Sequence, residues 1–79
     1  MDYSERDLPV VIREAELVSL ADGAMVRYEE SGGAREVFVG DEWSSRATLF
    51  PGMSYELDCP GCSYLLSAVD GGMKVERKA

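Results

Sequence analysis

"LVSLADGAMVRYEESGGAREVFVG", residues 17–40, carries two turn signals, Asp22-Gly23 and Gly32-Gly33, between runs rich in β-branched and aromatic residues. Asp-Gly suits a type I′ hairpin, which needs positive φ at both central residues. Pairing around it sets Leu20 opposite Met25, Ser19 opposite Val26 and Leu17 opposite Tyr28. A turn at Gly32-Gly33 sets Tyr28 opposite Val37, Val26 opposite Val39 and Glu30 opposite Arg35. The two registers agree, with Leu17, Val26, Tyr28, Val37 and Val39 on one face. A one-residue slip would turn every side chain over, so the agreement predicts a three-stranded antiparallel meander.

Further turn signals follow at short intervals: "PG" at 51–52, "PG" at 60–61 and "DGG" at 70–72. The spacing predicts an all-β domain, a small antiparallel meander, barrel or sandwich of about five to six short strands. A chain of 79 residues has room for one such domain, over residues 8–79, with residues 1–7 as a flexible N-terminus. Residues 41–48, "DEWSSRAT", read as a loop leading into a short strand.

Residues 8–21, "LPVVIREAELVSLA", admit two readings. The β-branched start and the Asp-Gly turn favour a strand. Leu8, Val11, Ile12, Ala15 and Val18 also make a helical stripe, with Asp7 as N-cap and Gly23 as a stop, which would give an α+β fold.

In "LFPGMSY", residues 49–55, Leu49, Pro51, Gly52 and Tyr55 match the spacing Leu-x-Pro-Gly-x-x-Tyr. This string resembles the tyrosine corner of fibronectin type III and other immunoglobulin-like sandwiches, and the resemblance implies a hydroxyl bonded back to upstream backbone. The other reading is a plain Pro-Gly turn followed by a core tyrosine.

"MSYELDCPGCSYLLSA", residues 53–68, holds both cysteines. Pairing around Pro60-Gly61 sets Cys59 opposite Cys62, Leu57 opposite Tyr64, Tyr55 opposite Leu66 and Met53 opposite Ala68, all on one face. The other face carries Ser54, Glu56, Asp58, Ser63 and Ser67, with Leu65 the exception. Proline fixes φ near −65°, which excludes the I′ and II′ turns and predicts a wider tip. The pair reads first as two small hydrophobic residues at a hairpin end. A zinc site is the alternative, and a closed one would need Cys59 and Cys62 from two chains around one ion, or carboxylate help from Asp58. A dithiol of the thioredoxin type would want a helix N-terminus, where the pattern here is strand.

Charge is the strongest global signal. Fifteen acids against eight bases give −7, and from Glu14 to Asp70 eleven acids face three arginines, a local balance of −8. Such a chain is repelled by nucleic acid and anionic membranes, which points to a protein with a basic surface as partner. No apolar run approaches a membrane span, and "MDYSERDLP" is too polar for a signal peptide, so a cytoplasmic location is expected.

The chain has no histidine, the commonest general base and zinc ligand, and its Gly-Gly pairs lie between strands instead of opening a helix on phosphate. Neither an enzyme nor a cofactor is expected, the zinc alternative apart. Binding has better material. Trp43 and Arg46 are of the types enriched at interface hot spots. Glu29, Glu30, Glu36, Asp41 and Glu42 lie near them in the meander and could present an acidic array to lysines and arginines. These residues suggest an interaction module that occupies a basic, nucleic-acid-binding surface of a partner. In size and charge the chain is similar to phage-encoded inhibitors such as anti-CRISPR proteins and DNA mimics. The alternatives are a zinc-bridged homodimeric structural or regulatory module and a plain subunit of a larger assembly.

Overall fold

A computed structural model describes residues 2–40, 44–59 and 62–78, and within strands and turns it leaves the side chains of Asp22, Cys59 and Cys62 undescribed. Among the described residues there are nine strands and no α-helix. They are β1 (Tyr3–Ser4), β2 (Val10–Ile12), β3 (Val18–Ser19), β4 (Met25–Ser31), β5 (Ala34–Val39), β6 (Ser44–Leu49), β7 (Ser54–Cys59), β8 (Cys62–Val69) and β9 (Gly72–Arg77). One sheet runs β1-β3-β4-β5-β6 and the other β2-β9-β8-β7. Every pairing is antiparallel except β1 with β3. The all-β expectation holds, and the form is two sheets around one core.

Alternation along the strands explains that core. Val18, Val26, Tyr28 and Val37 point inward from the first sheet, and Ile12, Tyr64, Leu66, Met73 and Val75 from the second, in a single buried cluster. Each fully buried aliphatic side chain contributes on the order of 1.5–3 kcal/mol by leaving water. For 79 residues this shared cluster is the main source of stability.

Residues 8–21 form neither one strand nor a helix. The segment is cut into β2, which joins the second sheet, and β3, which joins the first. Between them the Glu16 N–H bonds to the Arg13 carbonyl (3.0 Å), the Arg13 N–H bonds to Glu16 Oε1 (2.7 Å), and Ala15 takes φ 75°. This turn lets Ile12 and Val18 enter the core from opposite sides, whereas the helical stripe would have buried the exposed Val11. The split and the N-terminal strand help to raise the count among the described residues to nine, against the expected five to six. The segment 1–7, expected to be flexible, contributes β1 from Tyr3, and the Tyr3 N–H bonds to the Leu17 carbonyl at 2.9 Å.

The first hairpin corrects its expected register. Val18 pairs with Val26 and Ser19 with Met25, one residue away from the I′ pairing. The loop is a three-residue 3-10 turn, Ala21–Gly23, closed by the Leu20 N–H on the Ala24 carbonyl (2.7 Å). That extra residue moves Leu17 off the core face and brings in Val18 and Leu20. The second hairpin follows the expected register throughout, including Val26 with Val39, Tyr28 with Val37 and Glu30 with Arg35. Gly32 and Gly33 both take positive φ, 59° and 86°, as a type I′ turn requires.

Strand β6 begins at Ser44, so the stretch expected as a loop is already strand from there. The chain then passes from one sheet edge to the other through a turn at Phe50–Met53. Its Met53 N–H bonds to the Phe50 carbonyl (2.9 Å), and Gly52 takes φ 91°. Gly52 and Met53 dock on β8 through backbone bonds with Ala68 of 3.1 and 3.0 Å. Tyr55 is half-buried, and its hydroxyl makes no hydrogen bond among the described residues. The segment is thus a Pro-Gly turn followed by a packing tyrosine, without the hydroxyl bond of a tyrosine corner.

Candidate functional site

The face of the five-stranded sheet that points away from the core carries the candidate site. With Val26 and Tyr28 inward, β4 turns Arg27 and Glu29 outward. With Val37 and Val39 inward, β5 turns Glu36 and Phe38 outward. The register then sets Arg27 directly opposite Phe38 and Glu29 directly opposite Glu36. Two acids directly opposed across a ladder repel, at a cost of a few tenths to about 1 kcal/mol.

Neighbouring groups hold both acids. Arg27 Nη1 lies 2.7 Å from Glu29 Oε2, and its guanidinium stacks over the Phe38 ring, 4.5 Å from the centroid. Ser45 on β6 donates to Glu36 Oε2 at 2.7 Å. Glu29 nevertheless keeps 55% of its side chain exposed, against 26% for Arg27. The result is a half-buried cation–aromatic stack beside a directly opposed pair of carboxylates, of which Glu29 is exposed and Glu36 half-buried.

Glu30 is not part of this face. One residue along from Glu29, it points to the other side and sits opposite Arg35, with Arg35 Nε 4.0 Å from Glu30 Oε1. Its own N–H is bonded by Glu14 Oε2 at 3.0 Å, so a carboxylate from the β2–β3 turn covers the open edge of β4 there. Arg46 is exposed on β6 at a register shift: Val37 pairs with Ala47 but Phe38 with Ser45, leaving Arg46 as the extra residue of a β-bulge. Asp41, Glu42 and Trp43 lie outside the described residues. Of the expected array, Glu29 and Glu36 come together, with Arg46 on the adjacent strand.

Arg27 and Phe38 were missed by the sequence reading. Their signal was present, because the register that pairs Tyr28 with Val37 also pairs Arg27 with Phe38. The bulge at Arg46 had no such signal.

On the second sheet the β7–β8 register is as expected, with Leu57 opposite Tyr64, Tyr55 opposite Leu66 and Cys59 opposite Cys62. The tip, Pro60-Gly61, lies outside the described residues, and with it the expected wider turn. Among the described residues no three His, Cys, Asp or Glu side chains gather in an arrangement that could hold a metal ion. No helix among them is long and apolar enough to cross a membrane. No protein-family model, curated protein or solved structure matches the chain.

Proposed function

We propose that this chain is a protein-interaction module that meets a basic partner surface with the outer face of its five-stranded sheet. The observation that carries the reading is the Glu29–Glu36 pair, one exposed and one half-buried, directly opposed across β4 and β5. Placing like charges opposite each other costs stability, and a partner's lysine or arginine seated between them would reverse that cost. The Arg27–Phe38 stack beside the pair supplies the residue types that dominate interface energetics. The net charge of −7 would speed encounter with a cationic surface and make it sensitive to salt. A surface that binds nucleic acid is the natural target, since it is built to receive closely spaced anions. Occupying it would exclude the nucleic acid, so the module would act as an inhibitor.

Titration of isotope-labelled protein with a defined lysine- and arginine-rich peptide, followed through backbone amide shifts, tests the reading. The expected result is a set of shifts centred on Arg27, Glu29, Glu36 and Phe38 that disappears in high salt. Shifts centred on Glu56 and Asp58 of the other sheet would contradict it.

A further inference from the structure

We propose that Cys59 and Cys62 are a reversible thiol–disulfide pair that closes the β7–β8 hairpin covalently. The inference rests on backbone register and is independent of the acidic face. Cys59 ends β7 and Cys62 begins β8, and the two are directly opposed. Directly opposed residues of an antiparallel pair have Cα atoms about 4.5–5.5 Å apart. A disulfide spans Cα separations of about 4.4–6.8 Å, so oxidation requires no change of register.

Position in the sheet favours closure within one chain. By strand alternation the two cysteines occupy the same face as Leu57 and Tyr64, the buried pair two residues along each strand. Asp58 and Ser63 hold the intervening pair on the opposite face. The direct opposition of the two positions within one hairpin favours closure in the same chain over bridging to a second copy. Strand β7 is also a sheet edge, so at its last residue β8 is its one ladder partner among the described strands.

The oxidant is a low-molecular-weight disulfide such as oxidised glutathione. One cysteine thiolate attacks a sulfur of that disulfide, forming a mixed disulfide and expelling one glutathione thiolate. The second cysteine thiolate attacks the protein sulfur of the mixed disulfide and expels the other glutathione thiolate. Two protein thiols together lose two electrons and two protons, and the small disulfide leaves as two thiols. Excess reduced glutathione runs the exchange backwards.

The test is to incubate the reduced 79-residue chain with oxidised glutathione, quench with acid and read the intact mass. The expected product is lighter by two hydrogen atoms, retains no glutathione and resists alkylation. The variants Cys59→Ser and Cys62→Ser should each retain one glutathione, because the resolving thiol is gone. A wild-type chain that keeps glutathione on its cysteines, or links to a second chain, overturns the proposal. So does a chain that stays reduced in oxidised glutathione and, given zinc alone, forms a dimer that a chelator dissociates. The wild-type mass decides by itself, whether or not the serine variants fold.

Discussion

The Tyr64 hydroxyl donates a hydrogen bond to the Glu5 carboxylate, joining the first turn of the chain to a buried ring of β8. The same Glu5 Oε1 accepts the Ala21 N–H at 3.0 Å, and Arg77 Nη1 lies 3.1 Å from Oε2. One carboxylate thereby ties the N-terminus to the turn before β4 and to both inner strands of the second sheet. It explains why residues 3–7 belong to the fold.

Acid and alkali should both loosen this junction. The Tyr64 hydroxyl, then the Ala21 amide and Arg77, hold the Glu5 carboxyl below its ordinary range, against the opposing effect of desolvation. A depressed carboxyl contributes stability that is complete above its unfolded pKa and is lost as pH falls through its folded one. Burial first, and then the bond to Glu5, push the Tyr64 phenol up, so its contribution is complete below the ordinary tyrosine range and is lost as pH rises through the folded value. Tyr64→Phe should cost about 1–3 kcal/mol near neutral pH, since Glu5 loses a charge-assisted bond. In urea denaturation, the gap between wild type and Glu5→Gln should narrow as pH drops below the carboxylate range. A gap independent of pH would contradict the assignment.

Gly72 should tolerate no side chain. It is buried at the start of β9, and a methyl group there would collide with the carbonyl oxygen of Ile12 on β2. Gly72→Ala must therefore push β2 away from β9, with a loss of about 1–3 kcal/mol. Amide exchange should show the loss concentrated in Val10–Ile12. Uniform destabilisation without local loss of protection would count against this close approach.

Arg35 should be dispensable for stability. Its side chain is 11% exposed, Nε and Nη1 lack hydrogen-bond partners, and Glu30 at 4.0 Å is beyond hydrogen-bond reach. Buried unpaired donors carry a desolvation cost of about 1–3 kcal/mol. The guanidinium is 6.0 Å from the Tyr28 ring centroid, a cation–π contact worth at most about 0.5–2 kcal/mol in return, and its approach to the Tyr28 hydroxyl adds to that. Arg35→Met should be neutral or stabilising by up to about 2 kcal/mol in thermal unfolding. A loss above about 1 kcal/mol would show that the guanidinium is better compensated than its geometry indicates.

The parts of the fold legible in the sequence were those with local rules. Gly32-Gly33 specified a two-residue turn and so the β4–β5 register, and the apolar alternation from Leu57 to Ala68 specified β7 and β8. Asp22-Gly23 misled because the chain closed its turn with a third residue, Ala21, to bring Val18 under Val26. That choice is made by the core and not by the turn. The cut at Arg13–Glu16 was illegible for a similar reason: β2 pairs with β9, some sixty residues away, and no local pattern announces it. For the site, alternation told Glu29 from Glu30, but the position of Arg46 depended on a bulge that the sequence does not mark.

The central claim is that the Glu29–Glu36 face binds a basic surface. Its most direct test is displacement of a labelled oligonucleotide from a defined basic nucleic-acid-binding domain, by wild type and by the double variant Glu29→Lys/Glu36→Lys. The account predicts displacement by wild type at low salt and a loss of at least about tenfold in the variant, with its fold unchanged by circular dichroism. Equal displacement by the two proteins, or displacement by wild type that ignores salt, would contradict it.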